Sequence, residues 1–76
     1  MRYVYRIAVT PDDVGSRVTL RSRTGRAHPS TTDTVGLLVS WEDDVLTVEK
    51  RDGTRVRVRA DDLVAARVIP PRSQHR

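Results

Sequence analysis

Cysteine is absent from the 76-residue chain, which excludes a disulfide framework and any thiolate metal site. The core must therefore come from apolar side chains alone. Aromatic residues are nearly absent too. Tyr3, Tyr5 and Trp41 are the only ones, too few to line the groove that recognition of a proline helix uses. No stretch approaches the roughly 20 apolar residues of a membrane helix, and Met1 to Ile7 has neither the apolar run nor the small-residue cleavage site of a signal peptide. These absences favour a cytoplasmic setting with no membrane partner. At 8.6 kDa the chain is one domain at most, with little volume for the rigid pocket that catalysis needs.

Charge is plentiful. The formal net charge is +4, and Lys50 is the only lysine among 14 basic residues, the others being arginine and interleaved with ten carboxylates. Guanidinium forks suit phosphate oxygens, so one reading is contact with nucleic acid. The other is a mixed, solvated surface written by an arginine-favouring genome.

Valine is abundant, and apolar residues alternate with arginine or threonine in short runs, the period-2 pattern of half-buried strands. Tyr3 to Val9 alternates in this way and predicts an extra N-terminal strand or an extended arm (residues 1–9). Thr10-Pro11-Asp12-Asp13-Val14-Gly15 predicts one short helical turn, with a threonine cap, proline at the first position, an acid three residues after the cap, and a terminating glycine. Arg17 to Arg23 reads as a strand with Val18 and Leu20 inward and Arg17, Thr19, Arg21 and Arg23 outward. Residues 24–33 are turn-formers without apolar period and predict a long loop. The run from Thr34 to Trp41 then places Val35, Leu37, Val39 and Trp41 on one face, with Gly36 marking a bulge or a close backbone approach. Glu42-Asp43-Asp44 is a short acidic connection.

The register of the next hairpin can be derived. A two-residue turn at Asp52-Gly53 would set Val48 against Arg57 and Leu46 against Arg59, placing charges opposite the core face. A three-residue loop, Arg51-Asp52-Gly53, instead pairs Val48 with Val56 and Leu46 with Val58 inside, and Glu49 with Arg55 and Thr47 with Arg57 outside. Gly53 then falls where a left-handed residue closes the turn. Ala60-Asp61-Asp62-Leu63 predicts a helical turn capped by an aspartate, and Val64 to Ile69 a last strand stopped by Pro70-Pro71. This order of elements predicts an all-β fold, a small five-stranded SH3-like barrel over residues 10–71, with a short helical turn before the last strand and a tail at 72–76.

Searching for reactive groups yields no catalytic, cofactor or metal residue. His28 and His75 stand alone. The pairs Asp12-Asp13, Asp43-Asp44 and Asp61-Asp62 flank elements, where caps and turns want them. Ser30-Thr31-Thr32 has the composition of a loop, and no serine stands in a nucleophile elbow. Trp41 ends a strand on its apolar face and reads as core or core edge. The one surface feature with binding character is the outward row Arg55, Arg57 and Arg59, joined by Arg17, Arg21 and Arg23 on the first barrel strand. Against it, Glu49 is placed to neutralise Arg55, and no exposed aromatics interleave to stack bases.

The run Asp13 to Arg21, then Thr32-Asp33-Thr34-Val35-Gly36, Arg51-Asp52-Gly53 and Asp61 to Pro71, resembles a family of actinobacterial SH3-like domains. These precede GNAT-type, histone-acetyltransferase-related catalytic domains. The resemblance implies a non-catalytic accessory or protein-interaction domain whose partner is a GNAT acetyltransferase domain, in cis or in trans. It carries no activity over: the pyrophosphate loop of those enzymes has only an echo in Gly25-Arg26-Ala27, with Ser22 at the position that should be basic or an amide and no helix following. The alternative, from a different class, is a small nucleic-acid-binding barrel that uses the arginine face. An unpaired N-terminal strand would also favour a homodimer.

Overall fold

The computed structural model describes residues 7–24 and 30–70. The elements run as a 3-10 turn at Pro11–Asp13, β1 (Arg17–Arg23), β2 (Thr31–Glu42), β3 (Val45–Glu49), β4 (Arg55–Arg59), a second 3-10 turn at Ala60–Asp62, and β5 (Leu63–Val68). All five strands are antiparallel in one sheet of order β4-β3-β2-β1-β5, so the fold is the small all-β barrel domain that the strand pattern predicts. The parts of the first segment at residues 1–6, and the tail beyond Pro70, lie outside the described residues.

Local chemistry sets each boundary. The first turn is held by a reciprocal cap: the Thr10 N–H donates to Asp13 Oδ2 at 2.8 Å, and Thr10 Oγ1 accepts from the Asp12 N–H at 3.2 Å. Gly15 leaves the turn at φ +100°, a region other residues avoid. Its N–H then donates to the Leu38 carbonyl at 2.8 Å, which starts the pairing of β1 with β2.

β3 and β4 adopt the derived register, with Val48 opposite Val56, Leu46 opposite Val58, Thr47 opposite Arg57 and Glu49 opposite Arg55. The Lys50 backbone N–H donates to the Thr54 carbonyl at 2.7 Å and closes the three-residue loop, with Gly53 at φ +91°. The Thr54 N–H donates to Asp52 Oδ1 at 2.9 Å, an Asx turn that orders the loop from within.

The core is formed by Val9, Val18, Leu20, Leu38, Leu46, Val48, Val58, Leu63 and Ala66, with Trp41, Val56, Ala60 and Val68 packed against it. Trp41 is thus at the core edge, as its position implied. The inward face of β2 is not the one expected. Val35 and Leu37 are exposed, and Thr34, Gly36 and Leu38 are buried. The register against β3 shifts between Leu38 and Ser40, after which Trp41 pairs with the inward Leu46. One extra residue at this bulge changes which parity faces the core, so alternation read straight through the strand assigns its first half to the wrong side.

At Gly36 the backbone of β3 lies close against β2. A side-chain carbon there would collide with the Glu49 carbonyl oxygen and lie 2.8 Å from Val48 Cγ1. The expected close approach is therefore present, on the inward face.

Three further boundaries differ from expectation. β2 begins at Thr31, so Thr31 to Asp33 belong to the ladder and not to the loop; Arg21 pairs with Asp33 and Arg23 with Thr31. An apolar scan cannot see this extension, because it is held by backbone pairing and polar contacts. The second 3-10 turn has Arg59 at its cap position with no side-chain hydrogen bond, and Asp61 and Asp62 lie within the turn. Finally, Glu42 pairs with Val45, and Asp43 (φ +53°) and Asp44 (φ +63°) form a two-residue hairpin turn between them. Two successive left-handed residues match the twist of the flanking strands, and aspartate tolerates that conformation better than most residues.

The face assignment and the turn each make a measurable prediction. In urea unfolding, Leu38→Ala costs about 2–5 kcal/mol, whereas Val35→Thr on the outer face stays within roughly 0.5 kcal/mol of the parent. Gly36→Ala costs about 3 kcal/mol, because the obstacle is backbone and cannot rotate away. Asp44→Gly raises stability by up to about 1 kcal/mol by relieving the left-handed conformation.

Candidate functional site

The outer face of the sheet carries every arginine singled out from the sequence, and the strand order divides them into two groups. Arg55, Arg57 and Arg59 alternate along β4 at one end of the order, and Arg17, Arg21 and Arg23 along β1 near the other. Two strands stand between them, so the rows are separated by three strand spacings, roughly 14 Å along the sheet. Val35 and Leu37 on β2, and Thr47 and Glu49 on β3, fill the interval. The six do not form one continuous stripe.

Each row also meets carboxylates. Arg21 grips Asp33 with a two-point fork, Nε to Oδ1 at 2.9 Å and Nη2 to Oδ2 at 3.2 Å. Arg55 holds Glu49 Oε1 at 3.2 Å, the pairing expected across the hairpin. Both pairs are largely solvated, so each contributes little to stability. The two rows converge at one residue of the second 3-10 turn, where Asp61 accepts from Arg23 Nη1 through its backbone carbonyl at 3.3 Å and faces Arg59 Nη2 through its carboxylate at 4.0 Å. Arg17 and Arg57 have no ion pair among the described residues. Arg57 lies opposite Thr47, which offers a hydroxyl and no charge.

A shallow groove of about 420 Å³ adjoins β4 on this face, lined by Ser40, Glu42, Asp43, Val45, Thr47, Arg57 and Arg59. Both charge signs are represented in its walls. Among the described residues, no three histidine or acidic side chains are grouped so as to hold a metal ion; His28 and His75 lie outside those residues. No helix among them is long and apolar enough to cross a membrane.

One functional feature escapes a reading of side chains alone. β4 is the terminal strand, and its hydrogen-bonded pairs with β3 fall at the even positions, as the closing bonds from Lys50 to Thr54 and from Ala60 to Asp44 show. The N–H and C=O groups of Arg55 and Arg57, and the N–H of Arg59, therefore point away from the sheet. The other terminal strand differs. Ile7 forms a parallel bridge with Ala66 of β5, and the Ala8 N–H donates to the Ala66 carbonyl at 2.7 Å. The N-terminal segment thus lies against its own sheet at Ile7 and Ala8, and buried Val9 anchors it in the core.

Five short antiparallel strands, 3-10 turns in place of helices, and a continuous small core define the class of small Sm-like or SH3-like β-barrel domains. Within it, a family model described as the Rv0428c N-terminal Sm-like domain matches residues 12–67, and the chain belongs to that family. No curated protein and no solved structure matches the chain.

Two carboxylates on this surface predict how stability follows pH. The Arg21 fork holds the Asp33 carboxyl below its ordinary range, and the Thr54 N–H does the same for Asp52. A carboxylate lowered in the folded state stabilises the fold fully above its unfolded value, and that contribution is lost as pH falls through the folded one. Urea midpoints measured from neutral pH downward should therefore begin to fall in the ordinary aspartate range and continue below it. Asp33→Asn combined with Asp52→Asn should flatten the profile in that window while leaving the slope with denaturant unchanged.

Proposed function

We propose that this chain is a non-catalytic interaction domain that serves a GNAT acetyltransferase domain, in cis or in trans. The observation that supports the reading is the family's description as an N-terminal domain, a term for the leading part of a longer protein. The sequence resemblance to domains that precede GNAT catalytic domains supplies the nature of the rest. Surface chemistry is consistent with this role: carboxylates serve caps, turns and ion pairs, and the arginines of the terminal strand are exposed. Arg55, Arg57 and Arg59 are the contact residues proposed first, with Arg17, Arg21 and Arg23 as a second group across the sheet.

A nucleic-acid-binding reading rests on the same arginines, and one experiment separates the two. The chain is mixed with the acetyltransferase domain encoded in the same or an adjacent reading frame, and separately titrated with duplex DNA and structured RNA at two salt concentrations. A stoichiometric complex with the acetyltransferase domain, and no nucleic-acid binding at low salt, is the expected result. Failure to bind the acetyltransferase domain, together with nucleic-acid affinity that falls steeply with salt, would replace the proposal with the alternative.

A further inference from the structure

We infer that the free edge of β4 is a strand-addition site for an extended, acidic segment of a partner protein, in which acidic and apolar residues alternate. The inference rests on the interaction-domain reading and names its site and the partner's chemistry.

Backbone comes first. β4 ends the sheet order, and the outward N–H and C=O groups of Arg55 and Arg57, with the N–H of Arg59, form the template on which an added strand pairs. The side chains then specify what can be added. On the outer face the incoming strand would lie beside Arg55, Arg57 and Arg59, all exposed, and acidic residues at alternate positions complement them. On the other face it would meet Val56 and Val58 at the margin of the core, where apolar residues fit.

Charge also decides against a second copy of this chain. Antiparallel pairing of β4 with another β4 would centre on Arg57 and set Arg55 against Arg59, so that every outer pair is arginine facing arginine. Head-to-tail pairing of β4 with β5 meets a different obstacle, since Ile7 and Ala8 already occupy the outer side of Ala66. An edge that repels itself and cannot reach its opposite edge is left open to a strand of other charge.

The test uses the full chain, isotopically labelled, and a synthetic peptide about as long as β4 that alternates glutamate with valine. One control peptide has the same composition in two blocks, and a second alternates lysine with valine. Amide hydrogen exchange is read at Arg55 and Arg57, whose N–H groups face solvent in the free chain. The alternating acidic peptide should slow exchange at both by at least about tenfold, the scale of a formed backbone hydrogen bond, and neither control should. Arg57→Pro removes an outward N–H that the β3 ladder does not use, and should lower affinity about tenfold or more. Should that variant fail to fold, Arg57→Glu gives the second measurement, with preference moving toward the lysine peptide.

Unprotected Arg55 and Arg57 amides at saturating acidic peptide would overturn the proposal. So would equal protection by the blocked peptide, or self-association of the chain that protects the same amides. If the acetyltransferase domain binds but leaves these amides exchanging as in the free chain, the edge proposal fails and the interaction reading stands. Nucleic-acid binding without either protein interaction would end both.

Discussion

The contact between Gly36 and the backbone of Glu49 fixes the path of the central strand. β2 is paired on both sides, to β1 and to β3, and it must bend for a sheet of only five strands to wrap a core this small. The missing Cβ lets the Glu49 carbonyl sit where a side chain would otherwise stand. A few residues later the bulge after Leu38 completes the turn and restores Trp41 to the core side. The seating of β3 against β2 follows from this path, whereas the register of β4 against β3, and with it which groups of Arg55 and Arg57 face solvent, is set by the three-residue loop Arg51-Asp52-Gly53.

The same path makes the two ends of the sheet unequal. β5 is lined by Ile7 and Ala8, next to the buried Val9, and its outward carbonyl at Ala66 is engaged by the Ala8 N–H. Among the described residues β4 has no such cover, and its protection is electrostatic: arginines at alternate positions discourage pairing with its own kind. The ion pairs to Glu49 and Asp61 moderate that charge without removing it, since the side chains of Arg55 and Arg59 remain 60% and 71% exposed. Evolution commonly blunts a free edge with charge. Here the charge has one sign, and that turns a general defence into a preference.

What could be read from the sequence follows from how local each determinant is. The hairpin register was legible because a single choice of loop satisfied Val48 with Val56 and Glu49 with Arg55 together, leaving no competing solution. The Thr10 cap and Gly15 exit were legible for the same reason, being contained within a few residues. The inward face of β2 was not. Its parity depends on a bulge whose signature is only that Val39 and Leu38 are both apolar, and four alternating apolar residues outvoted one glycine. The extension of β2 back to Thr31 was hidden because backbone pairing with β1 holds it, with the Arg21–Asp33 ion pair alongside, and neither leaves a periodic apolar trace. For the candidate surface, the outward arginines were visible in the alternation. Their division into two rows was not, since strand order is a property of the whole sheet.

The hairpin tip has a practical meaning for chemistry on this molecule. Lys50 is the chain's only lysine, and its exposed position beside the Arg51-Asp52-Gly53 loop puts the sole side-chain amine at the end of the open strand. Amine-directed labels, tethers or cross-linkers will therefore report from one internal address, next to the edge whose occupancy is in question, and no second side-chain label needs to be resolved from it.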